Sequence, residues 1–579
     1  MTLSPIESTF KTWDGTELFY RSWIPASPFD KALVLFHRGH EHSNRLAHLV
    51  NALALDGMAV FAWDARGNGR SPGRRDWAEN FMAYEKDVAA FIRHLRKTHG
   101  IAEENIAVLG HSVGAALLAA WAHDFAPRIR AMVLATPAFR IRLYVPLAIP
   151  SLRAFYAAGF MKTVPSYVKA RVLTHDPVER KRIDEDPLIT HSISTNILLD
   201  LYDTSTRVMQ DAAAIRTPTL LLTAGKDYVV QHDAEESFFQ KLGSDVKQKE
   251  HYPEMFHAVF HETGRQAVIE RTKKFLQEVF AKPFEIPLLV DADKSGYTKR
   301  EYDELSKSPT PAKALYYGFS KQSMNTLGRL SQGIRLGYES GFNSGRTLDY
   351  VYENQARGKT PIGKVIDWFY LNSIGWKGIR VRRQMLERLL RQTIQKVHAA
   401  QGSVHLVDIA AGAGRYMLEV LRSLKDTRVT ATLRDREPKN LEQGRTIAQE
   451  FGVQGITFIQ GDAFNGADLA SLSPKPQVAV VSGLYELFPD NGMIRESLRG
   501  LAAAVEDGGY LVYTNQPWHP QVELIARTLC NWDGKPWVMR RRTQAEMDDL
   551  IREAGFEKEE MDVDPWGIFT VSVARRINK

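Results

Sequence analysis

The feature that most constrains this sequence is the pentapeptide GHSVG at 110–114, which lies between two apolar stretches. The short apolar run before it and the longer one after it predict a strand, a sharp turn and a helix. Glycine is needed on both sides of such a turn, because a side chain there would collide with neighbouring backbone. We therefore predict a parallel sheet that exposes Ser112 at its edge as a nucleophile. An incidental Gly-Ser turn is the alternative.

Length and composition indicate an ordinary globular protein with more than one domain. The 579 residues exceed what one core accommodates, and 44% of them are apolar and 25% charged. The net charge of +7 is spread over both halves of the chain, which argues against a nucleic-acid-binding protein. One cysteine, Cys530, excludes an intramolecular disulfide and fits a reducing compartment. With neither a signal-peptide pattern at residues 1–7 nor a membrane-spanning apolar run, we predict a cytoplasmic protein.

Two series of short apolar runs alternate with amphipathic stretches, one from residue 33 to 280 and one from residue 404 onwards. Such alternation is typical of parallel sheets with crossover helices, so the fold class is α/β in both halves. A stretch containing several prolines and charges separates the two series. The predicted divisions are a first α/β domain at 1–282, a linker at 283–320, a helical segment at 321–400 and a second α/β domain at 401–579.

Two segments resemble metal sites, and neither is predicted to hold a metal. The segment 291–296 opens like a calcium-binding loop, but its twelfth position is Tyr302, and Glu301 comes one residue early. A solvated Asp/Gly turn explains this segment better. The loop at 37–43 has three histidines but no accompanying acidic cluster, and its place after an early strand already accounts for it.

A serine becomes a nucleophile only when a base takes its proton and an acid orients that base. The run 219–227 is predicted to be a strand ending in a turn that presents Asp227, and His257 lies in a later loop, giving the chain order Ser, Asp, His. An oxyanion hole would take one backbone N–H from Val113 and one from the loop at 37–43. The residues that compete for the acid and base roles are Asp233, His251 and His261.

Residues 8–280 resemble the monoacylglycerol lipase and lysophospholipase branch of the α/β-hydrolases, sometimes named serine aminopeptidases. The resemblance rests on five segments and on Glu262 after His257. It implies Ser112, Asp227 and His257 as catalytic residues, Gly39 and Val113 as oxyanion donors, and a lid at about 138–210. The supporting segments are 37–43, 63–71, 110–114, 186–188 and 224–227.

The sequence departs from this hydrolase pattern in the oxyanion loop. The family usually has His-Gly-x-Gly, whereas this chain has Arg38 and His40 at the two glycine positions. Larger side chains there can reshape the hole or bind an anionic group. The lid segment mixes aromatic residues with cations, which suits contact with an anionic lipid surface, although an ordinary helical cap explains it equally well.

The second series begins with a strand that ends at Asp408 and runs into a loop containing Gly412 and Gly414. Such a loop lets a cofactor approach the backbone at the carboxyl end of a sheet. Asp435, 23 residues after Gly412, follows the next strand and can accept both hydroxyls of a ribose. A nicotinamide reductase is the alternative that this loop alone leaves open.

The segments after the later strands of this half indicate which kind of cofactor the loop binds. Asp462 and Ala463 follow the third strand, Ser482 follows the fourth, and two glycines precede the fifth. Residues 400–575 thereby resemble a class I S-adenosylmethionine-dependent methyltransferase, with alanine at 410 where glycine is commoner. The resemblance implies S-adenosylmethionine as the cofactor. The candidate cofactor-binding residues are Asp408, Gly412, Gly414, Asp435, Asp462, Ala463 and Ser482, and the residues that can line an acceptor pocket are Tyr485, Glu486 and His519.

The whole chain resembles bacterial hydrolase–methyltransferase fusions of the YnbC type. This implies a bifunctional enzyme, with a serine hydrolase acting on a small-molecule or lipid ester followed by a methyltransferase. The alternatives are an acyltransferase in place of the hydrolase and a lipid-binding scaffold with one inactive domain.

Overall fold

The computed structural model describes residues 4–424 and 427–577. Residues 1–3, part of the stretch searched for a signal peptide, therefore lie outside the described residues. The chain divides into two compact units, Met1–Pro287 and Leu288–Lys579. The division falls near the start of the predicted linker.

The first unit contains an eight-stranded sheet in the order β1-β2-β4-β3-β5-β6-β9-β10. β1, β2 and β4 pair antiparallel, and all pairs from β4 through β3 to β10 are parallel. A separate two-stranded sheet is formed by β7 and β8. The strands are β1 (Ile6–Lys11), β2 (Glu17–Trp23), β3 (Lys31–Phe36), β4 (Met58–Trp63), β5 (Ile106–His111), β6 (Ala131–Ala135), β7 (Thr163–Pro165), β8 (Ser192–Ser194), β9 (Thr219–Ala224) and β10 (Lys247–Tyr252).

The central strands β4, β5, β6 and β9 are buried along their whole length, as expected for a parallel sheet covered by helices on both faces. Four helices, α4 to α7, lie between β6 and β9 in sequence, within the predicted lid segment. The helices are α1 (Ala47–Leu53), α2 (Phe81–His99), α3 (Val113–Phe125), α4 (Ala148–Ala157), α5 (Ala170–Leu173), α6 (Pro177–Glu185), α7 (Thr195–Gln210), α8 (His232–Lys241) and α9 (Arg265–Phe280).

The second unit contains a seven-stranded sheet in the order β13-β12-β11-β14-β15-β17-β16. The last strand, β17, pairs antiparallel with both of its neighbours, and the other pairs are parallel. The strand order reverses between β11 and β14, where such sheets bind ligands. The strands are β11 (Val404–Asp408), β12 (Val429–Asp435), β13 (Ile456–Gln460), β14 (Val478–Val481), β15 (Tyr510–Asn515), β16 (Phe556–Val563) and β17 (Thr570–Arg576).

The structure differs from the expected linker at 283–320, because three helices of the second unit begin within it. Pro311, read as a linker residue, occupies the first turn of α12, where its missing N–H costs no hydrogen bond. The helices of this unit are α10 (Ala292–Ser295), α11 (Tyr297–Ser306), α12 (Pro311–Asn325), α13 (Gln332–Ser340), α14 (Gly345–Glu353), α15 (Pro361–Leu371), α16 (Ile374–Gln401), α17 (Arg415–Ser423), α18 (Pro438–Phe451), α19 (Gly466–Ala470), α20 (Asn491–Ala504), α21 (Val522–Thr528) and α22 (Gln544–Glu553).

The turn between β5 and α3 depends on two glycines packed against backbone. A Cβ at Gly114 would lie 2.5 Å from the carbonyl oxygen of His37 and 2.7 Å from that of Phe36. A Cβ at Gly110 would lie 2.6 Å from the carbonyl oxygen of Gly114. Real Cβ atoms do not approach backbone so closely, so α3 can cross β3 at this distance only where the residue is glycine.

We expect Gly114→Ala to lower the melting temperature of the first unit by more than about 4 °C, because the new methyl group must push β3 and α3 apart. Gly264→Ala is the matched control in the same unit, since its Cβ would meet only the tip of the Met255 side chain at 3.0 Å. Thermal unfolding followed by circular dichroism measures both. Equal melting temperatures for the two variants would show that the strand and helix yield without cost.

Candidate active sites

Ser112 stands between β5 and α3 with an uncommon backbone conformation, φ 55° and ψ −114°. Its N–H donates to the carbonyl of Ala135 at 2.9 Å, and its own carbonyl accepts from Ala138 at 3.1 Å. Positive φ in a non-glycine residue costs free energy and persists only where the surroundings enforce it. The neighbouring β6 and the two flanking glycines supply that enforcement.

The structure brings Ser112, His257 and Asp227 together as one hydrogen-bonded chain. The Oγ of Ser112 lies 2.7 Å from Nε2 of His257, and Nδ1 of His257 lies 2.7 Å from Oδ2 of Asp227. All three side chains are buried. These distances allow a proton to pass from the serine to the imidazole while the carboxylate orients the ring.

Asp227 is held as an acceptor for the imidazole. Burial alone would raise the pKa of Asp227, but the charge and hydrogen bond of His257 outweigh it and the pKa is lowered. The N–H groups of Val229 and Val230 add to this by donating to Oδ1 at 2.7 and 2.9 Å. The carboxylate is therefore ionised at neutral pH.

The residues that competed with Asp227 and His257 lie elsewhere. His251 bonds to Thr223 at 2.9 Å on β10, and Asp233 accepts from the backbone of Ala234 at the start of α8. His261 contacts the carbonyl of Arg45 at 3.2 Å. None of the hydrogen bonds found among the described residues joins these three to Ser112.

The loop after β3 places Gly39 beside the turn that carries Ser112. A Cβ at Gly39 would lie 3.2 Å from Cγ2 of Val113, so the two predicted oxyanion donors sit on touching segments. His37 anchors the loop, because its Nε2 accepts from the N–H of Ala65 at 3.0 Å. The loop is thus held at His37 by Ala65, just after β4, and lies against the turn of Ser112 at Gly39.

The two side chains that replace the family's glycines have different surroundings. Arg38 is buried and paired with Glu41 at 2.8 Å, so its charge is already balanced. Nδ1 of His40 lies 2.9 Å from Asp76 and 3.0 Å from Thr190. Both His40 and Asp76 have positive φ, 67° and 48°. Sequence reasoning missed this pair because its members lie 36 residues apart on different loops.

A second contact ties the same loop to the lid segment. Nε2 of His42 lies 2.9 Å from Oδ2 of Asp186, just after α6. Together with the bond from His40 to Thr190, it joins the oxyanion loop to lid residues on either side of Leu188.

A cavity of about 410 Å³ opens onto the serine and is mostly apolar. Gly39, Ser112 and His257 line its floor, and lid residues line its walls. The apolar lid residues include Leu143, Val145, Leu152, Phe155, Met161, Val164, Ile193 and Ile197. Such a cavity suits an acyl chain whose carbonyl end reaches Ser112.

In the second unit the loop after β11 is held against the end of β12. Oδ2 of Asp435 accepts from the N–H of Gly412 at 2.8 Å, and Oδ1 accepts from Asn440 at 3.0 Å. Gly412 and Gly414 have φ of 57° and 67°, which favours glycine. Oδ1 of Asp435 also accepts from the N–H of Glu437 at 2.9 Å. A carboxylate has about four acceptor positions, so one remains for a ligand hydroxyl.

Asp408 lies buried beneath that loop, where Tyr416 and the N–H of Ala410 donate to its carboxyl group. Burial raises the pKa of Asp408 to about 7, and the charge of Asp435 adds to the effect. The remaining predicted residues follow the neighbouring strands. Asp462 is exposed and accepts from Phe464 at 2.9 Å, Ala463 is buried, and Ser482 is half-buried directly after β14.

A second cavity, of about 190 Å³, lies within this unit beside the ends of β14 and β15. Glu486 and His519 line it, as the sequence suggested. Tyr485 does not: its side chain is buried in the core, where its hydroxyl lies 2.8 Å from that of Ser497. Because Tyr485 and Glu486 are adjacent, their side chains leave the 3-10 turn in different directions, which sequence spacing did not reveal.

The polar groups of this cavity are incompletely paired. Oε1 of Glu486 accepts from Thr514 at 2.8 Å, whereas Oε2 has no hydrogen-bond partner in the described part of the chain. Burial lowers the pKa of His519 to about 4, so its ring is neutral at pH 7. The N–H of Gln521 donates to Nδ1 of His519, which leaves the ring proton on Nε2.

The residues at this edge fit a nucleoside cofactor with an amino-acid part. A Cβ at Gly412 would meet nothing within 4 Å, so the loop borders open space that a ligand can fill. Asp435 lies on one side of that loop and Glu486, with its unpaired oxygen, lies beyond β14 on the other. No group of three or more potential metal-ligating side chains occurs within 4–424 and 427–577.

Comparison with known proteins assigns both halves. The family model described as "Serine aminopeptidase, S33" matches residues 27–264. The model described as "Putative methyltransferase" matches residues 272–576, more than half of the chain. The chain belongs to this methyltransferase family. Its hydrolase and methyltransferase halves form one bifunctional enzyme, as the sequence predicted.

The chain is also similar to individual proteins. The uncharacterized protein YnbC of Escherichia coli K12 is 45% identical over 99% of this chain and 98% of its own length, which confirms the resemblance to YnbC-type fusions. A monoacylglycerol lipase of Mycolicibacterium smegmatis is 26% identical over 46% of this chain and 94% of its own length. Among solved structures, a Paleococcus ferrophilus monoacylglycerol lipase covers 48% of this chain and 100% of its own, at 22% identity and a TM-score of 0.40.

The described residues include no helix long and apolar enough to cross a membrane.

The raised pKa of Asp408 makes the second unit sensitive to pH. In the range between its ordinary value and about 7, the folded state binds a proton that the unfolded state has lost, so stability falls as pH rises. Asp408→Asn removes this titration. We expect the melting temperature of Asp408→Asn minus that of wild type to increase from pH 5 to pH 8, because the buried carboxyl group costs wild type about 3 kcal/mol of stability over this range. A difference that stays constant with pH in calorimetry would contradict the burial of an uncharged carboxyl group.

Proposed function

We propose that the first unit hydrolyses a carboxylic ester of a lipid, with Ser112 as nucleophile, His257 as base and Asp227 as the residue that orients the base. The hydrogen-bonded chain of these three side chains at the floor of an apolar cavity carries the proposal. A lipid ester is supported by the lid residues that line the cavity and by the monoacylglycerol and monoglyceride lipases among the relatives.

The steps follow from the geometry. Ser112 Oγ attacks the ester carbonyl carbon while His257 Nε2 takes the hydroxyl proton, and Asp227 stabilises the imidazolium. The negative oxygen of the tetrahedral intermediate accepts from the N–H groups of Val113 and Gly39. Collapse expels the alcohol, which receives the proton from His257. Water then attacks the acyl-enzyme with the same base, releasing the acid and restoring Ser112.

We expect Ser112→Ala to lower kcat for p-nitrophenyl octanoate by about 10³-fold or more and to abolish labelling by a fluorophosphonate probe. Ser151→Ala is the matched control, because Ser151 also lines the cavity but lies on α4 of the lid. It should retain both labelling and turnover. Labelling of the Ser112→Ala variant would assign the nucleophile to another residue.

For the second unit we propose S-adenosylmethionine as the methyl donor, held at the reversal point between β11 and β14. When bound, it supplies an electrophilic methyl group. The loop with Gly412 and Gly414 would approach its amino-acid part, and Asp435 would accept from the ribose hydroxyls. Asp462 and Ala463 would lie beside the adenine, with Asp408 supporting the loop from below and Ser482 lining the site after β14.

The acceptor would occupy the second cavity, beside the proposed donor site. Glu486 can accept a hydrogen bond from an acceptor hydroxyl or amine through its unpaired Oε2, and His519 can donate through Nε2. Methyl transfer depends mainly on aligning the acceptor atom with the methyl group, so these two residues serve to orient the acceptor.

Gly412→Val tests the donor site, because a side chain there would project into the space proposed for the cofactor. Gly452→Val is the matched control: both glycines have φ near +60°, and a Cβ at either meets nothing within 4 Å. Gly452 caps α18 away from the sheet edge. We expect Gly412→Val to weaken binding of S-adenosylhomocysteine by at least about 10-fold in calorimetry, with Gly452→Val unchanged. Equal effects would contradict this site.

We also propose that the lid of the first unit contacts an anionic lipid surface. Leu147, Phe155 and Phe160 are exposed on or beside α4, and Lys162 and Lys169 follow them. Apolar side chains bordered by cations favour such contact.

A further inference from the structure

The second unit exposes a separate apolar surface, formed by α12, the 3-10 turn Leu327–Leu330 and α15. No residue of α12 is buried, and its Leu315 and Phe319 are 79% and 75% exposed. Proteins rarely leave a contiguous group of large apolar side chains in water without a binding role. The exposed members of this surface, which we call the α12–α15 surface, are Leu315, Tyr316, Phe319, Leu327, Ile362, Val365, Trp368 and Phe369.

The exposed residues of α15 share one side of that helix. Ile362, Val365 and Trp368 recur every three residues and Phe369 follows, opposite the buried positions Gly363, Asp367 and Leu371. The helix therefore packs against its own unit by one side and presents an aromatic and aliphatic side outward. The turn Leu327–Leu330 contacts both α12 and α15, which makes the surface continuous.

Charge distinguishes the α12–α15 surface from an ordinary protein-binding patch. From residue 305 to residue 338 the sequence has no acidic residue but contains Lys307, Lys313, Lys321, Arg329 and Arg335. Lys359 precedes α15 and Lys364 lies in its first turn, while Asp367, the acid in that helix, is buried. Among the ion pairs of the described residues, none includes Lys321, Lys359 or Lys364. Lys307, Lys313 and Arg335 are paired with Glu304, Glu523 and Glu339. The uncompensated lysines beside the apolar side chains are therefore Lys321, Lys359 and Lys364.

We propose that the α12–α15 surface docks on an anionic lipid surface. The aromatic and aliphatic side chains would enter the boundary between headgroups and acyl chains, and the lysines would lie at the level of the lipid phosphates. Met324 at the end of α12 and Tyr370 on α15 line the second cavity. Docking therefore brings the wall of that cavity to the lipid. This contact is independent of both proposed activities and of the lid.

Vesicle flotation of the full chain, without ester or methyl donor, tests the docking. Wild type should float with phosphatidylcholine vesicles that contain phosphatidylglycerol, and much less with phosphatidylcholine alone or at high salt. Trp368→Ser/Phe369→Ser should lower the bound-to-free ratio by about 10-fold. Ile459→Ser, an exposed apolar residue on β13, is the matched control and should bind like wild type. Lys321→Glu/Lys364→Glu should lose the preference for the anionic vesicles.

A lid variant, Phe155→Ser/Phe160→Ser, separates the two surfaces. If the lid variant still binds vesicles, and this binding disappears when Trp368→Ser/Phe369→Ser is added, the result supports the proposal. Unchanged flotation of Trp368→Ser/Phe369→Ser, or equal flotation of wild type with neutral and anionic vesicles, overturns it. Light scattering tests whether a second copy of the chain covers this surface instead. If Trp368→Ser/Phe369→Ser converts a wild-type dimer to a monomer and leaves vesicle binding intact, the surface joins two copies of the chain, and the proposal is wrong.

Discussion

The contact between Gly114 and the carbonyl groups of Phe36 and His37 is the constraint on which the first site depends. It lets α3 lie close to β3, and the turn between β5 and α3 gives Ser112 a positive φ of 55°. That conformation lifts the hydroxyl out of the sheet toward His257, and it puts the N–H of Val113 at the start of a helix, beside Gly39. The positions of the nucleophile and of the two oxyanion donors thus depend on the same close contact at Gly114. The loops after β9 and β10 add Asp227 and His257.

In the second unit, too, the proposed site lies at the carboxyl ends of parallel strands. The strand order reverses between β11 and β14, and the loops there diverge to leave space for a ligand. Glycine again occupies the loop, here because φ is positive at both Gly412 and Gly414. A Cβ at Gly414 would also meet Leu433, whereas Gly412 borders open space. Asp435 fixes the glycine loop through a backbone N–H. The proposed donor site is therefore organised before any ligand arrives.

Residue patterns predicted much of this arrangement because strand ends in parallel sheets meet at one edge. Chain order and position after the strand ends favoured Ser112, Asp227 and His257 over their competitors, and the structure joins these three side chains. The glycine loop and Asp435 were found in the same way. Sequence patterns failed where the direction of a side chain, or a partner far away in the sequence, decides whether a residue lines the site. Tyr485 points into the core although Glu486 beside it lines a cavity. Pro311 is predicted from its sequence context to lie in a linker, although proline in the first turn of a helix is common, and α12 begins there.

The bonds from His42 to Asp186 and from His40 to Thr190 have a consequence for how such enzymes diversify. Lids between β6 and β9 look like modules that evolution can exchange without touching the sheet. In this chain, a lid transplanted from a relative would remove two anchors of the loop that carries Gly39. A different lid on this sheet therefore requires a matching change at His40 and His42 to keep the loop that carries Gly39 in place.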